Sequence, residues 1–142
     1  MKKITTMLML VLSIVTVKAQ HNKSELTEGI QFFTGTWLQA LDIAKKENKF
    51  VFLDAYASWC GPCKLMKRNT FTDAKVAEFY NKHFINMAID MEKGEGVALS
   101  EKYDITSYPT LLFIKPDGKI VLKATGYHKV EDFISVGKNV LK

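Results

Sequence analysis

Two cysteines, Cys60 and Cys63, stand in the run Trp59-Cys60-Gly61-Pro62-Cys63-Lys64 with two residues between them. Thiols at that separation close into a small ring on oxidation and reopen on reduction, so the pair can accept and hand on two electrons. Three chemistries compete for it. A structural staple gains little here: the chain-entropy treatment gives about 2 kcal/mol for a loop of about four residues, against about 3 for fifteen. Half of a zinc site needs further ligands, and His21, His83 and His128 lack a zinc-finger spacing to the cysteines. No metal site and no bound cofactor are therefore expected. The redox reading explains more of the neighbourhood. A buried strand ends at Asp54, a short loop follows, and a helix starts at the pair, which puts Cys60 at the helix N-terminus. Unpaired backbone N–H groups and the positive end of the helix dipole favour a thiolate there. Pro62 suits the first helical turn, and Lys64, Lys67 and Arg68 add positive potential. Cys63 lies one turn on, more shielded, placed to resolve a mixed disulfide formed at Cys60.

The elements that must position this pair alternate along the chain. Residues 30–33 read as a short first strand. Trp37, Ala40, Leu41 and Ala44 fall at i, i+3, i+4 and i+7, the stripe of an amphipathic helix with an apolar core face. Residues 50–53 are a continuous apolar run suited to a strand buried on both faces. The chain after Cys60 reads as helix to about Asn69, and Val76, Phe79 and Tyr80 mark another helix. Residues 84–89 form a strand and 97–103 a short helix. Strands at 110–114 and 119–123 flank Lys115-Pro116-Asp117-Gly118, whose turn chemistry implies a hairpin. Val130, Phe133, Ile134 and Val140 place a helix at the C-terminus. The order is β-α-β-α-β-α-β-β-α, an α/β chain. Strands joined through helices are expected parallel and the closing hairpin antiparallel.

With the pair and its setting in view, the chain resembles the thioredoxin family. Trp59-Cys60-Gly61-Pro62-Cys63-Lys64 looks like that family's active site, and Asp54 stands six residues before Cys60, where thioredoxins carry a buried acid. Tyr108-Pro109-Thr110 resembles the cis-proline segment, and residues 115–119 with Gly126 resemble the closing hairpin and the glycine after it. The similarity covers roughly residues 50–141, and in outline 30 onward. The run 69–73 and the acidic loop 92–96 look closer to secreted thioredoxin-like domains, such as the periplasmic C-terminal domain of the transmembrane thiol-reductant transporter. The resemblance implies a thioredoxin fold, a central mixed sheet flanked by helices on both faces. It also implies that Cys60, Cys63 and Asp54 are catalytic, with Asp54 exchanging a proton with Cys63. Trp59, Gly61, Pro62, Tyr108, Pro109 and Gly126 would meet the substrate. On residue type alone the supporting positions read more plainly. Asp54 could cap a strand and face water, Trp59 could be core, Pro109 an ordinary trans proline and Gly126 a turn residue. His83 and His128 read as surface or packing residues. Two positions depart from the family pattern: Tyr56 replaces a common Trp, and Asn86 a common Lys beside the buried acid. The loss of that cation is expected to alter the ionisation of Asp54.

The 142 residues fit one domain, and 47% apolar with 25% charged residues is an ordinary globular composition. Two cysteines cannot build a disulfide scaffold, so the fold rests on a packed core. The net charge of +5 owes much to the N-terminus. Residues 1–19 hold Lys2, Lys3 and Lys18 and no acid, leaving 17 basic and 15 acidic residues beyond them. With no basic stripe interleaved with aromatics, no nucleic-acid partner is expected. Lys2-Lys3, the uncharged run 4–17 and Ala19 have the layout of a signal peptide over 1–19. A membrane anchor would need ~20 apolar residues; this run is shorter and contains Thr5, Thr6, Ser13 and Thr16. The organisation expected is a signal peptide over 1–19, a flexible arm over 20–29 and a thioredoxin-like domain over 30–142. The mature protein is expected to be soluble, monomeric, and periplasmic or secreted. The functional expectation is a thiol–disulfide oxidoreductase reducing disulfides of client proteins, recharged by a membrane electron donor. The alternatives are an oxidase or isomerase, and a non-catalytic module that binds extended protein segments.

Overall fold

The computed structural model describes residues 28–142. The segment 1–19 and most of the segment 20–29 lie outside the described residues. Of the latter, Gly29 is buried, and its carbonyl accepts a hydrogen bond from Asn81 Nδ2 at 3.3 Å.

Four strands, β1 (Phe50–Tyr56), β2 (Phe84–Asp90), β3 (Thr110–Ile114) and β4 (Ile120–Thr125), form one mixed sheet in the order β2-β1-β3-β4. Among the described residues five α-helices accompany them: α1 (Trp37–Glu47), α2 (Gly61–Leu65), α3 (Ala74–His83), α4 (Glu95–Lys102) and α5 (Val130–Val140). Alternation along β1 divides the core. Val51, Leu53 and Ala55 pack with Trp37, Ala40 and Ala44 of α1 and Leu99 of α4. Phe52, on the opposite face, packs with Val76 and Tyr80 of α3 and Phe133 and Val140 of α5. Phe52 is fully buried, and its ring centroid lies 5.1–5.3 Å from those of Tyr80, Phe113 and Phe133. Burying one such side chain contributes about 2–3 kcal/mol. The Tyr80 hydroxyl, also buried, donates to the Phe133 carbonyl at 2.8 Å, which offsets its desolvation.

Local chemistry sets the element ends. Thr36 and Gln39 form a capping box at the start of α1, and Asn48 ends it in the left-handed region. Asp73 caps α3 by accepting from the Lys75 and Val76 N–H groups. In the turn between β3 and β4, Gly118 adopts φ +85, and its N–H donates to the Lys115 carbonyl at 2.8 Å.

Four sequence expectations are corrected. Residues 30–33 are not a strand. The Phe33 N–H reaches the Asn86 carbonyl of β2 at 2.8 Å, but the Ile30 N–H goes to the Phe71 carbonyl and the Gln31 N–H to Asn81 Oδ1, so no ladder develops. β1 does not stop at Asp54: the ladder continues to Tyr56, because Asp54 and Ala55 are paired with strands on both sides. β3 runs antiparallel to β1, although it follows a helix. The connection over residues 91–109, with α4 in it, stays at the end where β2 leaves the sheet, and β3 enters from that same end. Finally, the helix after Cys60 changes pitch. α2 passes at Met66 into a π-helical turn, Met66–Thr70, a feature that often accompanies functional sites.

Candidate active site

The register of the sheet brings four loops together at one end. β1 and β2 are parallel with Tyr56 opposite Asp90, so the segment after β1 and the segment after β2 leave the sheet side by side. β3 enters antiparallel with Thr110 opposite Ala55, which sets Tyr108 and Pro109 beside that exit. β4 ends with Thr125 opposite Thr110, and the Gly126 N–H donates to the Pro109 carbonyl at 2.8 Å. The chain crosses to one side of β1 for β2 and to the other for β3, so this end is a topological switch point, where open α/β sheets place their sites.

Cys60 and Cys63 are joined there as a disulfide, with Cα atoms 5.3 Å apart. Cys60 is the N-cap of α2, and the Cys63 N–H donates to Cys60 Sγ at 3.1 Å. That N–H, one of the unpaired donors of the helix start, would stabilise negative charge on the Cys60 sulfur after reduction. Gly61 and Pro62 are exposed in the first turn. The expected difference in shielding is corrected: Cys60 is 2% exposed and Cys63 6%. Ala57 and Tyr108 pack against the pair, while a cleft of about 410 Å³ opens at Cys63.

Asp54 lies on β1, between Ala88 of β2 and Leu111 of β3, six residues before Cys60. It is buried, and its Oδ1 has no hydrogen-bond partner among the described residues. Burial pushes its pKa from 3.8 up to about 7, against the pull of the Lys67 ammonium. A carboxyl poised there can take and return a proton near neutral pH.

Trp59 is 67% exposed and stands edge-on to Tyr108, with ring centroids 5.8 Å apart. Its indole N–H donates to Glu92 at 2.9 Å. Ser58 hydrogen-bonds Asp90, and Lys93 Nζ donates to Ser58 Oγ at 2.9 Å and pairs with Asp90 at 3.3 Å. These contacts hold the Asp90 carboxyl below the usual range, the Ser58 hydroxyl being the largest cause. Sequence reasoning placed no role on Ser58, Asp90, Glu92 or Lys93; the signal that could have found them is the parallel register of β1 and β2, which aligns the two exits.

The remaining candidates fall as follows. Tyr108 is half-buried and joined to Pro109 by a cis peptide bond, and Gly126 has φ +84. A Cβ added at Gly126 would meet nothing within 4 Å, so the position is open as well as left-handed. The His128 backbone N–H meets Met66 Sδ at 3.1 Å and its ring Nδ1 lies 3.0 Å from the Gly126 carbonyl oxygen. The His83 ring lies tilted against Phe79, with centroids 4.9 Å apart. Asn86 turns from Asp54 toward the edge of the sheet, where its Nδ2 donates to Asn81 Oδ1 at 3.2 Å. Among the described residues no three His, Cys, Asp or Glu side chains converge as a metal site would require.

Comparison with known proteins adds to this geometry. The model of the thioredoxin-like domain family matches residues 38–141. The thiol:disulfide interchange protein DsbD of Pseudoalteromonas atlantica is 30% identical over 125 residues, covering 85% of this chain and 20% of that protein. The chain thus spans about a fifth of that relative's length. Thioredoxin-1 of Drosophila melanogaster is 35% identical over 78 residues, covering 55% of this chain and 68% of that protein. Among solved structures, a candidate disulphide-isomerase from Bacteroides thetaiotaomicron superposes with a TM-score of 0.72 at 40% identity, over 81% of this chain and 95% of that one.

Proposed function

The chain belongs to the thioredoxin-like family of disulfide oxidoreductases, and we propose that it reduces disulfides of client proteins outside the cytoplasm. The Cys60 thiolate attacks a client disulfide. One client sulfur leaves as thiolate, and the other is held to Cys60 as a mixed disulfide. Asp54 then takes the Cys63 proton, and the Cys63 thiolate attacks Cys60 Sγ. The second client thiolate leaves and is protonated, and the Cys60–Cys63 disulfide is regenerated. Two electrons have passed from the pair to the client. The redox group is the cysteine pair, so the cycle calls for no bound cofactor or metal. The observation that carries this reading is the disulfide at the N-cap of α2, joined through residues 57–59 to the strand β1 that carries the buried Asp54.

Trp59, Gly61, Pro62, Tyr108, Pro109 and Gly126 form the surface on which an extended client strand lies, pairing with the Tyr108 backbone. The reduced pair is restored by a membrane electron donor. The signal-peptide layout of 1–19 and the likeness to DsbD support a periplasmic or secreted site of action. No helix among the described residues is long and apolar enough to cross a membrane. The protein acts as a soluble monomer once the leader is removed, and 30–142 is its working domain.

The likeness to a candidate disulphide-isomerase favours a second reading, reshuffling rather than net reduction of client disulfides. The test is turnover of a disulfide-bonded protein with dithiothreitol as donor, beside recovery of activity by a scrambled substrate. Cys60→Ser should abolish reduction, and Cys63→Ser should trap the client as a mixed disulfide. Retained client binding with no exchange by the unaltered protein would instead identify a binding module. Recovery of scrambled substrate without net reduction would identify an isomerase.

A further inference from the structure

Asp54 can serve Cys63 only if its charge is tolerated when the proton arrives and leaves, and the strand position that could hold a cation beside it carries Asn86. That amide is turned away and tied to Asn81 and the Gln31 carbonyl. Around Asp54, β1 offers Tyr56 two residues on along the same face, β2 offers the uncharged Ala88 and Asn86, and β3 the apolar Leu111. Opposite these lie Cys63 and Lys64 of α2 and Lys67 of the π-turn. The about 410 Å³ cleft is lined by Cys63, Lys64, Lys67, Tyr56 and Ala88, the last being the β2 residue in register with Asp54. Lys67 follows Cys63 by four residues, the spacing that sets two side chains on one helix face. Neither lysine has an ion-pair partner among the described residues.

From this arrangement we propose that Lys67 is a positioning residue for the resolving step: through the cleft at Cys63 it supplies, from the helix side, the cation that stabilises ionised Asp54. The proposal rests on the oxidoreductase reading above. Lys67 touches neither client nor sulfur chemistry; it acts through Asp54. Among the described residues, its ammonium is the charge that opposes the effect of burial on that carboxyl. It raises the fraction of Asp54 that stands ionised before the step, ready to take the Cys63 proton; the Cys63 thiolate then attacks Cys60 Sγ and the client thiolate departs. Lys67 gains and loses no proton in that step.

The test uses the reduced protein and an aromatic disulfide that releases a coloured thiolate. The first release reports attack by Cys60, and the second reports attack by Cys63 on the mixed disulfide. Asp54 is titrated in parallel from its carboxyl carbon resonance. Lys67 is exposed, so Lys67→Met is expected to fold. It should move the Asp54 pKa up by about one unit. Near pH 7 the ionised fraction would fall from about a half to about a tenth, slowing the second release about fivefold and leaving it unchanged at high pH. Lys67→Arg should restore both, and Lys64→Met should move neither. An unmoved Asp54 pKa, or a second release slowed equally at every pH, overturns the role of Lys67 while two-phase release leaves the oxidoreductase reading standing. Absence of any second release from the unaltered protein overturns that reading itself, and this proposal with it.

Discussion

Replacing Asp54 by Asn should stabilise the oxidised protein at neutral and alkaline pH while impairing its chemistry. Burial carries this carboxyl from 3.8 to about 7. Between those values the unfolded chain has lost the proton and the folded chain retains it. Unfolding then releases a proton, so stability falls as pH rises, by about 1.4 kcal/mol per pH unit from this group alone. The loss begins as pH passes the unfolded value and levels off above the folded one. Over about three units it amounts to about 4 kcal/mol, an upper figure because local relaxation around the buried carboxylate reduces it; the pull of Lys67 is already contained in the value of about 7. Asp54→Asn removes the slope and keeps the shape. The assay is urea unfolding of the disulfide form across the range from about pH 3 to about pH 9. The stability difference between variant and wild type should grow in favour of the variant across that range, toward about 4 kcal/mol. The lowered carboxyls of Asp90 and Asp117 are present in both proteins and cancel in that difference. Parallel curves would refute the reasoning, because they would mean that Asp54 ionises alike in both states. A gain in stability paired with a slow resolving step is the pattern expected where a buried charge is kept for function.

Other outcomes follow from the same contacts. Glu92→Gln should loosen Trp59, seen as a shifted and faster-exchanging indole N–H resonance, with a stability change below about 1 kcal/mol because the pair is exposed; an unchanged resonance would contradict the contact. Gly96→Ala should destabilise by about 1–3 kcal/mol in urea unfolding, because the new Cβ would fall 2.0 Å from the Asp90 carbonyl oxygen. A neutral result would show that the start of α4 can move away from the end of β2. Gly126→Ala should cost about 1 kcal/mol through its φ of +84, although the space beside it is open; equal stability would show that the loop relaxes.

The readable parts of this chain are those whose signal is local. The apolar run at 50–53, the Pro-Asp-Gly turn between β3 and β4 and the periods of α1, α3 and α5 all announce their elements, because each depends on neighbours in sequence. The cysteine pair is readable for the same reason: its spacing, Pro62 and the helix start lie within a few residues. What stays hidden depends on pairing between distant segments. The direction of β3 is set by its pairing with β1, far away in sequence, and residues 30–33 fail as a strand because the Ile30 and Gln31 N–H groups are taken by Phe71 and Asn81. The partners of Trp59 and Ser58 come from the end of β2 and the loop after it, which the parallel register brings alongside. The sequence marks the loss of a cation at Asn86; the cation we propose in its place, Lys67, shares the cleft at Cys63 with Ala88, the β2 residue in register with Asp54. Periodicity places Lys67 on the face of Cys63; it does not say that this face and Ala88 line one cleft.

The reduction potential of the Cys60–Cys63 pair, measured by equilibrating the protein with glutathione or dithiothreitol buffers, tests the proposed direction of electron flow most directly. A pair that reduces its clients and depends on a donor should lie near or below about −250 mV. A value above about −190 mV, in the range of oxidising and isomerising proteins, would contradict it.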